Sequence, residues 1–265
     1  MVRLSVVIIT FNEERNIGRC IDSLQGVADE IVVVDSNSTD ATQQICISKG
    51  ARFLLHAFEG YIEQKNFALE QATFNHILSL DADEALSDEL RQSILRVKTD
   101  WTADVYSMNR LTNYCGTWVR HGGWYPDRKV RLFRKESGRW GGINPHDKIF
   151  FTNANPAIQQ LNGDILHYTI NTKEEHKKQA KRFSEITAKE LFNQQKSTNV
   201  FKIYLKPIVR FIRDYFFKAG FLDGKAGLQI AIISAHHVYL RENNLKELIQ
   251  CDFEIIDHFI SATFA

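Results

Sequence analysis

The sequence predicts an α/β fold, a Rossmann-like, mostly parallel sheet flanked by helices, followed by a C-terminal helical extension. Three observations carry this reading. From Leu4 to Val97 short apolar, β-branched runs alternate with longer amphipathic stretches, the pattern of right-handed βαβ units covered on both faces. No proline precedes Pro126, so nothing interrupts those helices. After Asn171 the apolar spacing is helical to the end.

In order, strands are expected at Leu4–Thr10, Glu30–Asp35, Arg52–His56 and His76–Asp81. Helices are expected at Glu13–Leu24, Asp40–Lys49, Gly60–Thr73 and Ser87–Val97. Between Asp104 and Tyr168 the texture changes to short aromatic runs (VYSMNRLTNY, GTWVRH, KVRLFR, KIFF, ILHYT) separated by the turn signals YPD, SGRWGG and NPHD. These read as further strands extending the sheet. Helical cores follow around Phe183–Phe192, Ile203–Phe217, Leu228–Leu240 and Leu245–Phe259. The division expected is one domain over 1–170 and a helical extension over 171–265, without internal repeats.

At 265 residues and 44% hydrophobic the chain can bury a sizeable core. A net charge of +1 excludes a strongly basic nucleic-acid binder by composition. The charge is uneven, however: Lys173 to Lys218 holds twelve Lys or Arg against five Asp or Glu. Cys20, Cys46, Cys115 and Cys251 lie far apart with no C-x-x-C pair or zinc spacing, which fits a reducing compartment. The opening MVRLSVVIITFNEE is too short in apolar residues for a signal-peptide core, and no later run approaches a bilayer span. A cytoplasmic protein, soluble or attached to a membrane from one side, is expected.

In an open parallel sheet ligands bind beyond the carboxyl ends of the strands. Those ends are polar here: Thr10-Phe11-Asn12-Glu13, Asp35-Ser36-Asn37-Ser38-Thr39-Asp40 and Asp81-Ala82-Asp83-Glu84. Neither G-x-G-x-x-G nor G-x-x-x-x-G-K-[ST] is present, so dinucleotide and P-loop readings lack support. Two carboxylates one residue apart, Asp81 and Asp83, suit a hard cation such as Mg2+ or Mn2+ that keeps sites open for phosphate oxygens. The plainer alternative is a solvated acidic turn capping the next helix.

Taken together, SVVIITFNEERNIGRCIDSL, EIVVVDSNSTDAT, QKNFAL and LSLDADE resemble the nucleotide-sugar half of family-2 glycosyltransferases with the GT-A fold, over roughly residues 3 to 170. VRLFRKESGRWGGINPHDKI, ILHYT and GFLDGKAGL are similar to the bacterial branch that adds glucose to the inner core of lipopolysaccharide. The resemblance implies a metal-dependent enzyme that moves a sugar from a UDP-sugar to a lipid-linked glycan with inversion, residues 1–170 forming its nucleotide-sugar-binding and catalytic domain. It implies that Thr10, Asn12 and Glu13 line the nucleoside pocket, that Asp35 grips the uracil or ribose, and that Lys65 lies beside the diphosphate. Asp81 would contact the ribose or reach the metal through water, and Asp83 would bind the metal directly. His167 fits a late histidine in the metal or diphosphate shell, or else a strand histidine with a satisfied hydrogen bond. Such enzymes place a catalytic carboxylate after a glycine-containing loop, which makes Asp147 the candidate base; the related branch usually reads His-Glu where this chain reads His146-Asp147. Asp127 is the next carboxylate to consider. In the Asp127–Arg134 run, alternation puts Arg128 and Arg134 on one face and Arg131 on the other. Any of them could hold an anion, the alternative being a solvated strand face.

Over 199–220, NVFKIYLKPIVRFIRDYFFKAG, the residues Lys202, Lys206, Arg210 and Arg213 recur at helical spacing against an aromatic and aliphatic face, with Pro207 expected to kink the helix or begin a new one. Such a helix suits the headgroup plane of the anionic inner-membrane surface, or packing on the catalytic domain with its lysines exposed. Two other functions compete. A sugar nucleotidyltransferase would carry a glycine-rich basic loop after its first strand, where TFNEERN is acidic. A catalytically inactive nucleotide-sugar-binding module would lack the metal carboxylates or the base, and candidates for both are present.

Overall fold

A computed structural model of the chain describes residues 1–143 and 146–263, with side chains for all of these except 143, 146 and 253–263. In chain order the elements are β1 (Leu4–Thr10), α1 (Ile17–Ser23), β2 (Glu30–Asp35), α2 (Thr42–Ser48), β3 (Arg52–Leu55), α3 (Tyr61–Gln71), β4 (His76–Asp81), β5 (Glu84–Leu86), α4 (Asp88–Thr99), β6 (Val105–Tyr114), β7 (Thr117–Val119), β8 (Asp127–Arg134), β9 (Gly138–Ile143), β10 (His146–Phe151), β11 (Ile158–Ile170), α5 (Lys173–Asn193), α6 (Val200–Ile212) and α7 (Gly224–Thr263). They group into two compact units. One comprises Met1–Thr112 and Pro126–Thr169; the other comprises Asn113–Tyr125 and the chain from Ile170 onward.

The first unit is an α/β sheet of order β3-β2-β1-β4-β8-β6-β11-β5. β1 pairs in parallel with β2 and β4, and β2 with β3. β8 joins β4 and β6 antiparallel, and β5 pairs antiparallel with β11. The β-branched runs form strands because both faces are covered and successive side chains enter different cores. Val6 and Ile8 join Ile17 and Ile21 of α1, Cys46 of α2 and Leu90 and Ile94 of α4 in one core. Val7, Val32 and Val34 join Ala68 and Leu69 of α3 on the other face. α4 starts where the Ser87 hydroxyl accepts the Leu90 amide at 3.2 Å, with Asp88 and Glu89 in its first turn and Arg96 and Lys98 in its last. Gly163 lets β11 cross that helix start, since a Cβ there would lie 2.2 Å from the Leu90 amide nitrogen.

The second unit is helical, with α5 and α6 each packed along α7. Thr172 and Glu175 form a reciprocal capping box at the start of α5. The two helical cores expected over 228–259 lie in one helix, because Arg241-Glu242-Asn243-Asn244 looks like a polar break but holds no glycine or proline. α6 continues through Pro207, and the chain widens into a π turn at Arg213–Phe217. Residues 113–125 group here rather than with the first 170 because Asp223 accepts the amides of Arg120 and His121 at 3.2 and 2.8 Å, and Lys218 O accepts the Gly122 amide at 2.8 Å. Gly227 packs on Gly220 so closely that a Cβ would meet the Gly220 carbonyl oxygen at 1.8 Å, which accounts for two glycines of GFLDGKAGL.

His176 is buried here, its Nδ1 3.2 Å from Tyr114 Oη and its ring edge-on to Tyr114 and Trp124. Burial, and secondarily His237, lowers its imidazole from 6.5 to about 4. The unfolded chain thus takes up this proton near pH 6.5 while the folded chain resists until about 4, so folding stability falls as pH drops across that window. His176→Gln should flatten the fall of the urea midpoint between pH 6.5 and 4; a slope equal to wild type would assign the acid sensitivity to other groups.

Candidate active site

The parallel register sets the candidate residues side by side. Thr10 at the end of β1 is level with Asp35 at the end of β2, and Ile9 is level with Asp81 at the end of β4. The two loops that follow are stitched together. Asn12, at φ 53°, donates its amide to Ser38 Oγ at 2.7 Å and accepts the Thr39 amide on Oδ1 at 2.8 Å. The Glu13 amide donates to Thr42 Oγ1 at 2.8 Å. Asp35 is buried, and its carboxylate accepts the Ser38 amide at 2.7 Å and the Ser38 hydroxyl. It therefore shapes the loop that carries Asn37 and Ser38. Thr10 Oγ1 is buried without a partner. Burial raises the Glu13 carboxyl above its ordinary value, the Asn16 hydrogen bond offsets part of this, and Asp83 and Asp40 push it further up.

Beyond β4, buried cations bind a set of carboxylates. Arg131 of β8 is 4% exposed and donates to Asp81 at 2.8 Å and Glu84 at 3.0 Å. Glu84, whose side chain is fully buried, also accepts the Asp81 amide at 3.0 Å and lies 3.5 Å from Arg110. Burial alone would raise the Asp81 carboxyl, but Lys65 and Arg131 outweigh it and hold it well below the usual carboxylate range. Burial would lower Arg131, and Glu84 and Asp81 hold it above its ordinary value instead.

Lys65 of α3 extends this set to the β9–β10 hairpin. Its Nζ lies 3.2 Å from Asp81 Oδ1 and 2.8 Å from Asp147 Oδ2. The neighbouring Asn66 explains how the hairpin is held: its side-chain amide donates to Trp140 O at 2.9 Å and accepts the Trp140 amide at 3.0 Å. The Trp140 ring then lies 4.5 Å from Lys65 Nζ and 5.6 Å from Arg131 Cζ. Asn144 and Pro145 of the turn before Asp147 lie outside the described residues. Asp127 is committed elsewhere, to Arg110 at 2.8 Å and Lys129 at 3.0 Å. Arg134 is half-buried and Arg128 exposed, so only Arg131 of the three strand arginines enters this set.

Asp83 and His167 meet because β5 pairs with β11 so that Glu84 is opposite His167 and the Tyr168 amide donates to Asp83 O at 2.9 Å. His167 Nε2 lies 3.2 Å from Asp83 Oδ2, and its Nδ1 faces Thr112 Oγ1 at 3.4 Å, which orients the ring. A carboxylate and an imidazole 3.2 Å apart are donors of the kind that hold a divalent cation whose other ligands come from outside the protein. Asp81 has both oxygens engaged by cations, Lys65 on one and Arg131 on the other. Among the described residues no three His, Cys, Asp or Glu side chains form a metal cage by themselves.

The structure thus joins Lys65, Asp81 and Asp147 directly, joins Asp83 to His167, and places Thr10 and Asp35 at the ends of β1 and β2 with Asn12 and Glu13 on the loop that follows β1. Sequence reasoning missed Glu84, Arg110, Trp140 and Asn66. Arg131 was visible only as the arginine out of phase with Arg128 and Arg134.

Comparison with known proteins gives the family. The model of glycosyl transferase family 2 matches residues 5–156. An uncharacterised glycosyltransferase of Rickettsia typhi is 32% identical over 257 residues, 94% of this chain and 88% of that protein. The lipopolysaccharide core biosynthesis glycosyltransferase LpsC of Rhizobium meliloti is 31% identical over 259 residues, 90% of this chain and 92% of that protein. Among solved structures, the chain is similar to glucosyl-3-phosphoglycerate synthase from Mycobacterium tuberculosis in complex with Mn2+, UDP and glucosyl-3-phosphoglycerate, at 22% identity and a TM-score of 0.36 over 42% of this chain and 44% of that one. With the family model covering more than half of the chain, and relatives at such identity spanning nearly all of it, the chain belongs to glycosyl transferase family 2.

Proposed function

We propose that the protein is an inverting, metal-dependent hexosyltransferase that moves glucose from UDP-glucose to a hydroxyl of a lipid-linked glycan such as the lipopolysaccharide core, at the cytoplasmic face of the inner membrane. The observation that carries this reading is the single ammonium shared by two carboxylates, Lys65 between Asp81 and Asp147. The acceptor class is supported by the lipopolysaccharide core transferase among the relatives.

In this reading the nucleoside occupies the end of β1 and β2, where the uncommitted Thr10 hydroxyl and the Asn12–Glu13 turn face it and Asp35 holds the opposing loop in shape. Asp83 and His167 would hold the divalent cation, which would neutralise charge on the departing diphosphate. Lys65 exchanges a carboxylate for a phosphate oxygen as the donor settles. Asp147 is thereby released from its ion pair with the donor already in place. It takes the proton of the acceptor hydroxyl as that oxygen bonds to the anomeric carbon and the bond from that carbon to the diphosphate oxygen breaks on the opposite face.

Asp147→Asn keeps the shape and loses the proton acceptor. Its UDP affinity should stay within about threefold of wild type while transfer to isolated core oligosaccharide falls by about 10²–10⁴. Product detected by mass spectrometry at the wild-type rate would place the base elsewhere.

A further inference from the structure

The second unit carries an apolar surface that the glycosyl-transfer reading does not use. On α6 the residues Phe201, Leu205 and Ile208 recur four and three positions apart and form one exposed stripe, with Phe201 77% exposed. The π turn prolongs it with Phe216 and Phe217, the latter 83% exposed. Ile203 and Asp214 turn inward, so the helix is anchored by its other side. Isolated exposed hydrophobic residues are ordinary, but a run of large exposed apolar side chains on one short segment marks an interaction surface.

The charges beside the stripe identify what covers it. Residues 199–225 hold six Lys or Arg and two Asp, a surplus of +4. Both acids are withdrawn from the surface. Asp214, 3% exposed, is held by Arg213 at 2.8 Å and by Arg210, while Asp223 is tied to His121 at 2.9 Å. A second copy of the same face would set one basic surface against another across a two-fold axis. An anionic lipid surface complements the charge and accepts the aromatics at headgroup depth. No helix is long and apolar enough to cross a membrane among the described residues, and α6 with 13 residues is about 20 Å long, so it suits lying in the interface.

We propose that the exposed face of α6 and the following π turn is a membrane-docking surface, which lies in the interfacial plane of an anionic phospholipid bilayer with Phe201, Leu205, Ile208, Phe216 and Phe217 inserted and with Lys202 and Lys218 at the lipid phosphates. This deepens the lipid-linked reading given above, yet it rests on the second unit alone and its test contains no sugar nucleotide. The test avoids reversing Lys206, Arg210 and Arg213, because Lys206 holds the buried Glu242 at 2.9 Å and the two arginines hold Asp214, so those changes would strand buried charge.

The full chain is sedimented with vesicles of phosphatidylglycerol and phosphatidylcholine, and with vesicles of phosphatidylcholine alone, at low and high salt. Wild type should pellet with the anionic vesicles and be weakened by salt. The double variant Phe201→Ser/Phe217→Ser should partition about tenfold less while keeping the wild-type circular dichroism and urea midpoint. Lys202→Gln/Lys218→Gln should bind less and lose part of the salt dependence. Wild type remaining in the supernatant at low salt, or the phenylalanine double variant binding as well as wild type, overturns the proposal. A concentration-dependent dimer that needs Phe201 and Phe217, without vesicle binding, also overturns it and assigns the face to a second copy.

Discussion

Two cations shared among three carboxylates hold the end of β4 to the strands and helix around it. Arg131 bridges Asp81 and Glu84, and Lys65 bridges Asp81 and Asp147, so β4, β5, β8, α3 and the β9–β10 hairpin converge on one ionic set around the buried Arg131, Lys65 and Glu84. Burying a guanidinium is costly, and the cost is recovered only when its partners are close and themselves hydrogen-bonded. Here Glu84 completes its bonding with the Asp81 backbone amide and Arg110, and Trp140 covers the cations from one side. Removing one member of such a set leaves the remaining charges buried and unmatched, typically at about 3–5 kcal/mol.

The same arrangement separates two carboxylates that are neighbours in the sequence. Asp81 is fixed as an anion by its neighbours, so it positions cations rather than exchanging protons. Asp83, one residue beyond Ala82, points into a different neighbourhood, toward His167 on β11. The D-x-D spacing thus divides its labour: one carboxylate joins the structural ion set and the other pairs with an imidazole suited to metal. Asn66 extends the logic to the hairpin, because a side-chain amide that satisfies both backbone groups of Trp140 fixes the strand that leads to Asp147.

Much of this was legible in the sequence, and the rest was not for identifiable reasons. β1, β2 and β4 have the bounds predicted, since short β-branched runs buried on both faces leave little freedom. α1 begins at Ile17 rather than Glu13 because Asn16 sits at φ −114° and closes a tighter turn, its amide donating to the Glu13 carbonyl at 3.0 Å and its side chain to the Glu13 carboxylate. The α/β sheet with a helical C-terminal region agrees with the GT-A expectation. The short β5 was hidden because Glu84–Leu86 reads as the continuation of an acidic turn, and only its pairing with β11 makes it a strand. Arg131 bonds carboxylates 47 and 50 positions away, a relation that local periodicity does not encode. The Asp223 contacts that draw 113–125 into the second unit span 102 and 103 positions and are illegible for the same reason.

The proposed glycosyl transfer requires a UDP-sugar site completed by a divalent cation at Asp83 and His167. The most direct measurement is calorimetric titration of UDP into wild type and Asp83→Ala, with Mn2+ and with a chelator. Binding to wild type in the micromolar to millimolar range that weakens at least about tenfold on chelation, with no Mn2+ effect left in Asp83→Ala, is the predicted result. Absence of UDP binding to wild type with Mn2+ present, or binding that neither the chelator nor the substitution alters, would contradict it.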